Sequence, residues 1–296
     1  MRTRRVVATS VAAAAMTVSL LSPALATASA TAAGGDPFGP QSRAAGHGLI
    51  SVGLTADQRL VGFDVRNPAD TWSLGKVSGL QGDGKLVGID FRVQNGKLYG
   101  VGDKGGVYTV DSDAKAVKVS QLTVALQGRY FGVDFNPAAN RLRVISDTGQ
   151  NLRHNIDDPA APNTTTVDGT LTNPTMPPST ALGVTGAAYT NNDLNAATAT
   201  TLFDIDTTND RVSLQSPANA GTLAPTGNLG LNAGPSAGFD IYYQASDGSN
   251  RGYAALSTGG KQRFHRVDLL TGKATAVGDF PAARQVVDVA LPLNQH

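Results

Sequence analysis

The sequence has 296 residues, no cysteine and no glutamate; all 23 acidic residues are aspartate. Without cysteine there are no disulfides, thiolate metal sites or cysteine nucleophiles. Without glutamate, the glutamate-dependent zinc proteases, the zinc deaminases and most two-carboxylate glycosidases are excluded. Glutamate favours helices, whereas aspartate favours turns and caps. Charge is also scarce. Lys, Arg, Asp and Glu make up 16% of the chain, against about 25% in ordinary domains, and the formal net charge is +1. This argues against a nucleic-acid partner. Glycine is abundant, at 34 residues. A chain whose acids are turn formers and which is rich in glycine reads as all-β rather than helical.

Residues 1–30 have the pattern of a secretory signal peptide. Arg2, Arg4 and Arg5 precede an apolar stretch from Val6 to Leu21, and Ala24-Leu25-Ala26 and Ala28-Ser29-Ala30 are both small-x-small cleavage sites. The expectation is export by the Sec or the twin-arginine route, the latter suggested by Thr3-Arg4-Arg5-Val6-Val7, to a secreted or cell-surface location. No later stretch approaches the ~18 apolar residues of a membrane helix, so no membrane span is expected. Cleavage at residue 30 removes three arginines and no acid, leaving a weakly acidic mature chain. Residues 31–46, rich in Gly and Pro, read as a flexible leader, and 47–296 as one domain.

From Leu49 onward the chain repeats. Gly62-Phe63-Asp64-Val65, Gly88-Ile89-Asp90-Phe91, Gly132-Val133-Asp134-Phe135 and Gly238-Phe239-Asp240-Ile241 share one phrase. Gly186-Ala187-Ala188-Tyr189 lacks the acid, and Val287-Asp288-Val289 lacks the glycine. Short apolar runs bounded by Gly, Asn, Asp and Pro follow each phrase, as strands should be bounded. Four short strands per ~40–50 residues is the signature of a β-propeller blade. Blades are assigned to residues 86–122, 130–171, 184–229 and 237–279. Residues 49–80 offer only three strands, at Leu49–Leu54, Leu60–Val65 and Thr71–Val77, which places Asp64 in a later strand of its blade. The missing innermost strand is assigned to Gln285–Leu291. The reading is therefore an all-β, five-bladed propeller closed by the C-terminal strand joining the first blade, with four or six blades as alternatives. Glycine in the innermost strands answers to backbone crowding near the axis.

The run Phe131-Gly132-Val133-Asp134-Phe135-Asn136-Pro137, with Arg141-Leu142-Arg143-Val144-Ile145-Ser146 and Thr148-Gly149-Gln150-Asn151-Leu152-Arg153, resembles the bacterial family called domain of unknown function 4394. Ala187-Ala188-Tyr189-Thr190-Asn191-Asn192 and Gly221-Thr222-Leu223 share that likeness, which spans roughly residues 48–292. Asn140 stands where the family pattern has Asp, and His154-Asn155-Ile156-Asp157-Asp158 departs from its usual turn. The resemblance implies an exported β-propeller-like domain and supplies no catalytic residues.

Two sets of residues carry candidate chemistry. Asp90, Asp134, Asp240 and Asp288 recur one per blade and would converge near the channel mouth, where oxygen ligands suit a hard cation such as Ca²⁺. The competing role is that each accepts backbone N–H groups and locks its own blade, and Ala188 breaks the ring. Asn136, Arg141, Arg143, Gln150, Asn151 and Arg153 occur in one blade only, and arginine's fork suits carboxylate, phosphate or sugar oxygens. Their competing role is pairing with aspartates of neighbouring blades. Gly234-Pro235-Ser236-Ala237-Gly238 and Gly100-Val101-Gly102-Asp103-Lys104-Gly105 mimic a nucleophile elbow and a dinucleotide fingerprint. Neither opens a helix, which both devices require. His47, His154, His265 and His296 show no metal-ligand spacing, and His265 reads as blade packing.

The functional expectation is an exported, non-catalytic binding or structural module for a polar ligand, such as a glycan, or for a surface protein. The alternative is an Asp-dependent, metal-assisted hydrolase or lyase at the channel mouth. No cofactor is required by the sequence, with Ca²⁺ the cation to test.

Overall fold

The computed structural model describes residues 48–195 and 197–295. The signal peptide and leader assigned to 1–46 lie outside the described residues, as do His47 and His296. Strands occupy most of the described chain. The one helical element among the described residues is a 3-10 turn at Ala218–Ala220.

Five four-stranded antiparallel sheets are the blades. Blade I begins with β1 (Ile50–Thr55), β2 (Arg59–Asp64) and β3 (Asn67–Lys76). Blade II is β4 (Leu86–Arg92), β5 (Lys97–Gly102), β6 (Gly106–Val110) and β7 (Ala116–Gln121). Blade III is β8 (Phe131–Asn136), β9 (Arg141–Ser146), β10 (Asn151–Asn155) and β11 (Thr164–Val167). A small hairpin, β12 (Thr172–Asn173) and β13 (Ser179–Thr180), precedes blade IV. Blade IV is β14 (Val184–Tyr189), β15 (Leu202–Asp206), β16 (Arg211–Gln215) and β17 (Leu223–Asn228). Blade V is β18 (Ala237–Gln244), β19 (Ser249–Thr258), β20 (Lys261–Val267) and β21 (Ala274–Asp279). The last strand, β22 (Val286–Ala290), pairs antiparallel with β1, placing Val52 opposite Ala290 and Leu54 opposite Asp288. Blade I thus takes its innermost strand from the other end of the chain. The five blades, their boundaries and this closure match the repeat reading to within a few residues. The β12–β13 hairpin was not foreseen, because two-residue strands carry no periodic signal.

Strand alternation sends apolar side chains to both faces of each blade, so the core divides into five layers, one per interface. Leu54, Ile89 and Phe91 pack between blades I and II. Val101, Val133 and Phe135 pack between II and III. Ile145, Ala187 and Leu202 pack between III and IV, and Phe203, Ile205 and Phe239 between IV and V. Phe63, Phe264 and Phe280 close the ring between V and I, meeting edge to face at 5.0–5.9 Å.

The inner strands touch. A Cβ on Gly132 would lie 2.7 Å from the Ala187 nitrogen, and one on Gly238 would lie 2.3 Å from the Asp288 Cα. Real Cβ atoms do not approach backbone that closely, so the innermost glycines are required by the narrow axis.

Candidate functional site

Of the four axial aspartates, Asp90, Asp134 and Asp240 sit two residues beyond the glycines of their strands, whereas Asp288 lies within the glycine layer, its Cα 2.3 Å from where a Cβ on Gly238 would be. All are buried: Asp90 is 4% exposed, Asp134 2%, Asp240 1% and Asp288 8%. Each carboxylate accepts a backbone N–H from the next blade. Ile89 N donates to Asp288 Oδ2 at 2.7 Å, Phe135 N to Asp90 Oδ2 at 2.7 Å, Tyr189 N to Asp134 Oδ1 at 3.2 Å and Leu291 N to Asp240 Oδ2 at 2.6 Å. Blades I to II, II to III, III to IV and V to I are joined in this way. The same carboxylates converge: Asp90, Asp134 and Asp240 each bring an oxygen within 4.8 Å of the others. Both roles weighed from the sequence are therefore realised in one geometry.

Convergence has an electrostatic consequence. Burial raises Asp90 well above the usual carboxylate range, helped by Asp240. Burial raises Asp134 in the same way, with Asp90 and Asp240 adding to it. Asp288 is raised well above by burial and by Asp240, and Asp240 is raised by burial to about 6. Like charges held close in low dielectric share protons, or are neutralised by a cation. The all-oxygen donor set suits a hard cation of the Ca²⁺ class.

The blade III residues are also held by the protein itself. Arg143, 1% exposed, donates to Asp168 Oδ2 at 2.7 Å, Asn151 Oδ1 at 2.8 Å, Tyr189 Oη at 3.2 Å and Asn219 Oδ1 at 2.8 Å. Arg153 meets the same Asp168 with a two-pronged contact at 3.0 Å. Arg141 pairs with Asp158 at 2.6 Å. Asn136 accepts the Ala139 N–H, Gln150 ties down the loop at residues 125–127, and Asn151 donates to the carbonyls of Gly169 and Ala218. The aspartates that meet these arginines come from blade III's own strand ends, not from neighbouring blades. Arg92 of blade II does cross an interface: it reaches Asp157 at 2.5 Å and Asn140 at 2.7 Å. Asn140 has φ of 52°, a conformation Asn tolerates better than most residues. The departure from the family pattern thus supplies a turn residue and an acceptor together.

His154 is buried between blades II and III. Its Nε2 lies 2.8 Å from Ser120 Oγ and its Nδ1 3.0 Å from Thr165 Oγ1. Burial lowers its pKa to about 4, so the ring is neutral near pH 7. His265, 2% exposed, packs within blade V as expected.

The remaining interface, between blades IV and V, is where Ala188 replaces aspartate, and no axial carboxylate joins these two blades. There the Asn191 backbone N–H donates to Asn250 Oδ1 at 2.8 Å, and Asn250 Nδ2 donates to Asn191 Oδ1 at 2.7 Å. A groove of about 640 Å³ opens at this interface, on the face where the inner strands end. Blade IV contributes Thr190 and Phe203, and blade V contributes Asn250, Arg251, Arg266, Leu269, Leu270 and Lys273. Leu270 is 76% exposed. Arg251 is held by Asp247 at 2.7 Å. Arg266 and Lys273 form no side-chain hydrogen bond or ion pair with a described residue. Asp268, the acid in the lining, has its carboxylate below the usual range because it accepts the N–H groups of Thr271 and Leu270. With Arg251 paired to Asp247, Arg266 and Lys273 against Asp268 leave the groove electropositive. The sequence reading missed Arg251, Arg266 and Lys273. The available signal was the excess of five Lys and Arg over two Asp between residues 249 and 279, together with Ala188.

A family model, Domain of unknown function (DUF4394), matches residues 59–290. The chain belongs to this family. No curated protein matches it. Solved structures with similar folds include a protein of unknown function from Bacteroides thetaiotaomicron, 13% identical, with 84% of this chain and 66% of that one covered at a TM-score of 0.46. A protein from Lactobacillus plantarum is 17% identical, with coverages of 78% and 66% and a TM-score of 0.42. An auxiliary nutrient binding protein from Bacteroides ovatus is 9% identical, with coverages of 79% and 59% and a TM-score of 0.40. This chain spans about two thirds or less of the length of these proteins. Among the described residues no helix is long and apolar enough to cross a membrane.

Proposed function

We propose that the protein is an exported, non-catalytic binding module whose ligand is an acidic glycan fragment. The observation that carries this reading is the electropositive groove between blades IV and V. Arg266 and Lys273 offer unspent donors for carboxylate oxygens, and arginine's planar fork matches a uronate carboxylate. Leu269 and Leu270 offer apolar contact to the C–H faces of sugar rings. The groove's volume of about 640 Å³ is that of an ordinary small-ligand site, and its charge contrasts with the weakly acidic mature chain. The basic start and cleavage sites of residues 1–30 support export. In this reading Asn136, Arg141, Arg143, Gln150, Asn151 and Arg153 frame blade III and hold it rigid beside the groove-bearing blades. The axial aspartates lock the ring, neutralised by shared protons or by one Ca²⁺-class cation.

The test is calorimetric titration with an oligogalacturonate and with a neutral oligosaccharide of equal length. Saturable binding of the acidic ligand is expected. It should weaken at least tenfold in R266A and in K273A, and fall with added salt as exposed charge pairs do. Equal binding of both ligands, or binding indifferent to both substitutions, contradicts the reading.

One observation favours the second reading, Asp-dependent hydrolysis or lysis: the approach of three carboxylate oxygens within 4.8 Å. Their burial beneath the glycine layer counts against it, since a catalytic carboxylate must reach the proton it transfers. Turnover of any glycan that is abolished by D134N would establish that second reading.

A further inference from the structure

We propose that the axial mouth on the opposite face is a second binding site, for a small organic carboxylate. This site is separate from the groove and does not depend on it. The mouth encloses about 190 Å³ and takes one wall residue from each blade: Val287, Val87, Phe131, Thr185 and Ala237. Its floor is the glycine layer, where a Cβ on Gly88 would lie 2.4 Å from Val133 Cγ2 and 3.2 Å from the Oδ2 of Asp288, a carboxyl that burial pushes toward its neutral form.

Three features identify the ligand's chemistry. Lys85 and Arg129 stand in the lining, no acid does, and neither cation is paired with a described residue. A concave site with one sign of charge concentrates the opposite ion. Thr185 Oγ1 is the second feature. The residue is 1% exposed and its hydroxyl has no hydrogen-bond partner. Most buried polar side-chain atoms in folded proteins are satisfied, and an orphan calls for a ligand or a water. A carboxylate oxygen would accept from this hydroxyl while its charge meets Arg129 and Lys85. The third feature is apolar: Val87, Phe131 and Val287 offer a dry wall to a short carbon chain or ring. Inorganic phosphate would satisfy the cations and leave that wall without a partner. The volume admits a ligand of several carbons and excludes a glycan chain.

The test uses the full chain titrated by calorimetry with butyrate, with benzoate and, in parallel, with inorganic phosphate. Binding of an organic carboxylate is expected, with phosphate weaker. R129A and K85A should each weaken it about tenfold, which is about 1.4 kcal/mol. T185V keeps the shape and removes the hydroxyl; it should weaken carboxylate binding several-fold while the thermal midpoint stays near that of the parent. R266A should leave this binding unchanged. The proposal is overturned if neither carboxylate binds, if phosphate binds as tightly as both, or if T185V and R129A bind as the parent does.

Discussion

At the residue scale, the same side chain type does opposite work in different places. Surface aspartates such as Asp64 and Asp157 are held ionised: the Arg66 and Arg92 hydrogen bonds lower them against the cost of burial. The axial four are pushed the other way. A carboxyl whose folded pKa lies above its unfolded value of ~3.9 contributes stability that is full at low pH and is lost as pH rises through the folded value. For Asp240 that window runs from about 4 to about 6, and burial raises Asp90, Asp134 and Asp288 in the same direction. His154 acts oppositely. With its pKa lowered to about 4, its contribution is lost as pH falls from about 6.5. Across the window from about pH 4 to about 6 the two effects oppose each other. D240N removes the carboxyl's share, so its thermal midpoint should rise more steeply with pH between about 4 and 6 than the parent's, and parallel slopes would contradict this account. In a parallel melt at pH 8, a cation binding only the folded state at a hundred times its dissociation constant adds about 2.7 kcal/mol. Millimolar Ca²⁺ that recovers the midpoint relative to chelator identifies a cation at the cluster; no recovery identifies proton sharing.

Two further substitutions belong to this scale. Arg143→Ala would leave Asp168 buried with only the half-exposed Arg153. Breaking a buried pair costs about 3–5 kcal/mol, to be read as a lower urea midpoint with unchanged slope. Gly132→Ala would drive a Cβ into the Ala187 backbone and should cost at least about 1–3 kcal/mol. Gly84→Ala meets nothing closer than 3.6 Å and should be near neutral in the same assay.

At the scale of elements, the closing strand carries the most consequence for its length. Val286–Ala290 supplies blade I's inner strand and brings Asp288 to Ile89. Val286 and Val289 enter the V–I core. A chain ending at Arg284 exposes the edge of β1 and loses two interblade locks, Asp288 with the Ile89 N–H and Asp240 with the Leu291 N–H. It is expected to lose its cooperative thermal transition by circular dichroism, and retention of a sharp melt would contradict the role given to β22. This closure was legible in the sequence, because blade I showed three strands and the C-terminus showed a spare one carrying the repeat's aspartate. The inner glycines were legible for the same reason. The polar network of blade III was legible only as residue types. Which acid meets Arg143 depends on where Asp168 falls after β11, and a turn's length does not reveal that. The groove was harder still, since Arg251, Arg266 and Lys273 lie on different strand ends that only the blade's register brings together.

At the scale of the whole molecule, the ring is nearly but not fully symmetric, and the exception locates the groove. Four interfaces carry an aspartate lock, and the fifth carries Ala188, an asparagine pair and a basic concavity. Structural repeats account for the four; under the proposed function a ligand accounts for the fifth. The most direct measurement is a backbone amide NMR titration of the protein with oligogalacturonate, with the ligand's reducing ends assayed in the same tube. The account predicts saturable shifts centred on Arg251, Arg266, Leu269, Leu270 and Lys273, with the ligand intact at the end. Shifts centred elsewhere, no shifts at all, or new reducing ends would contradict it.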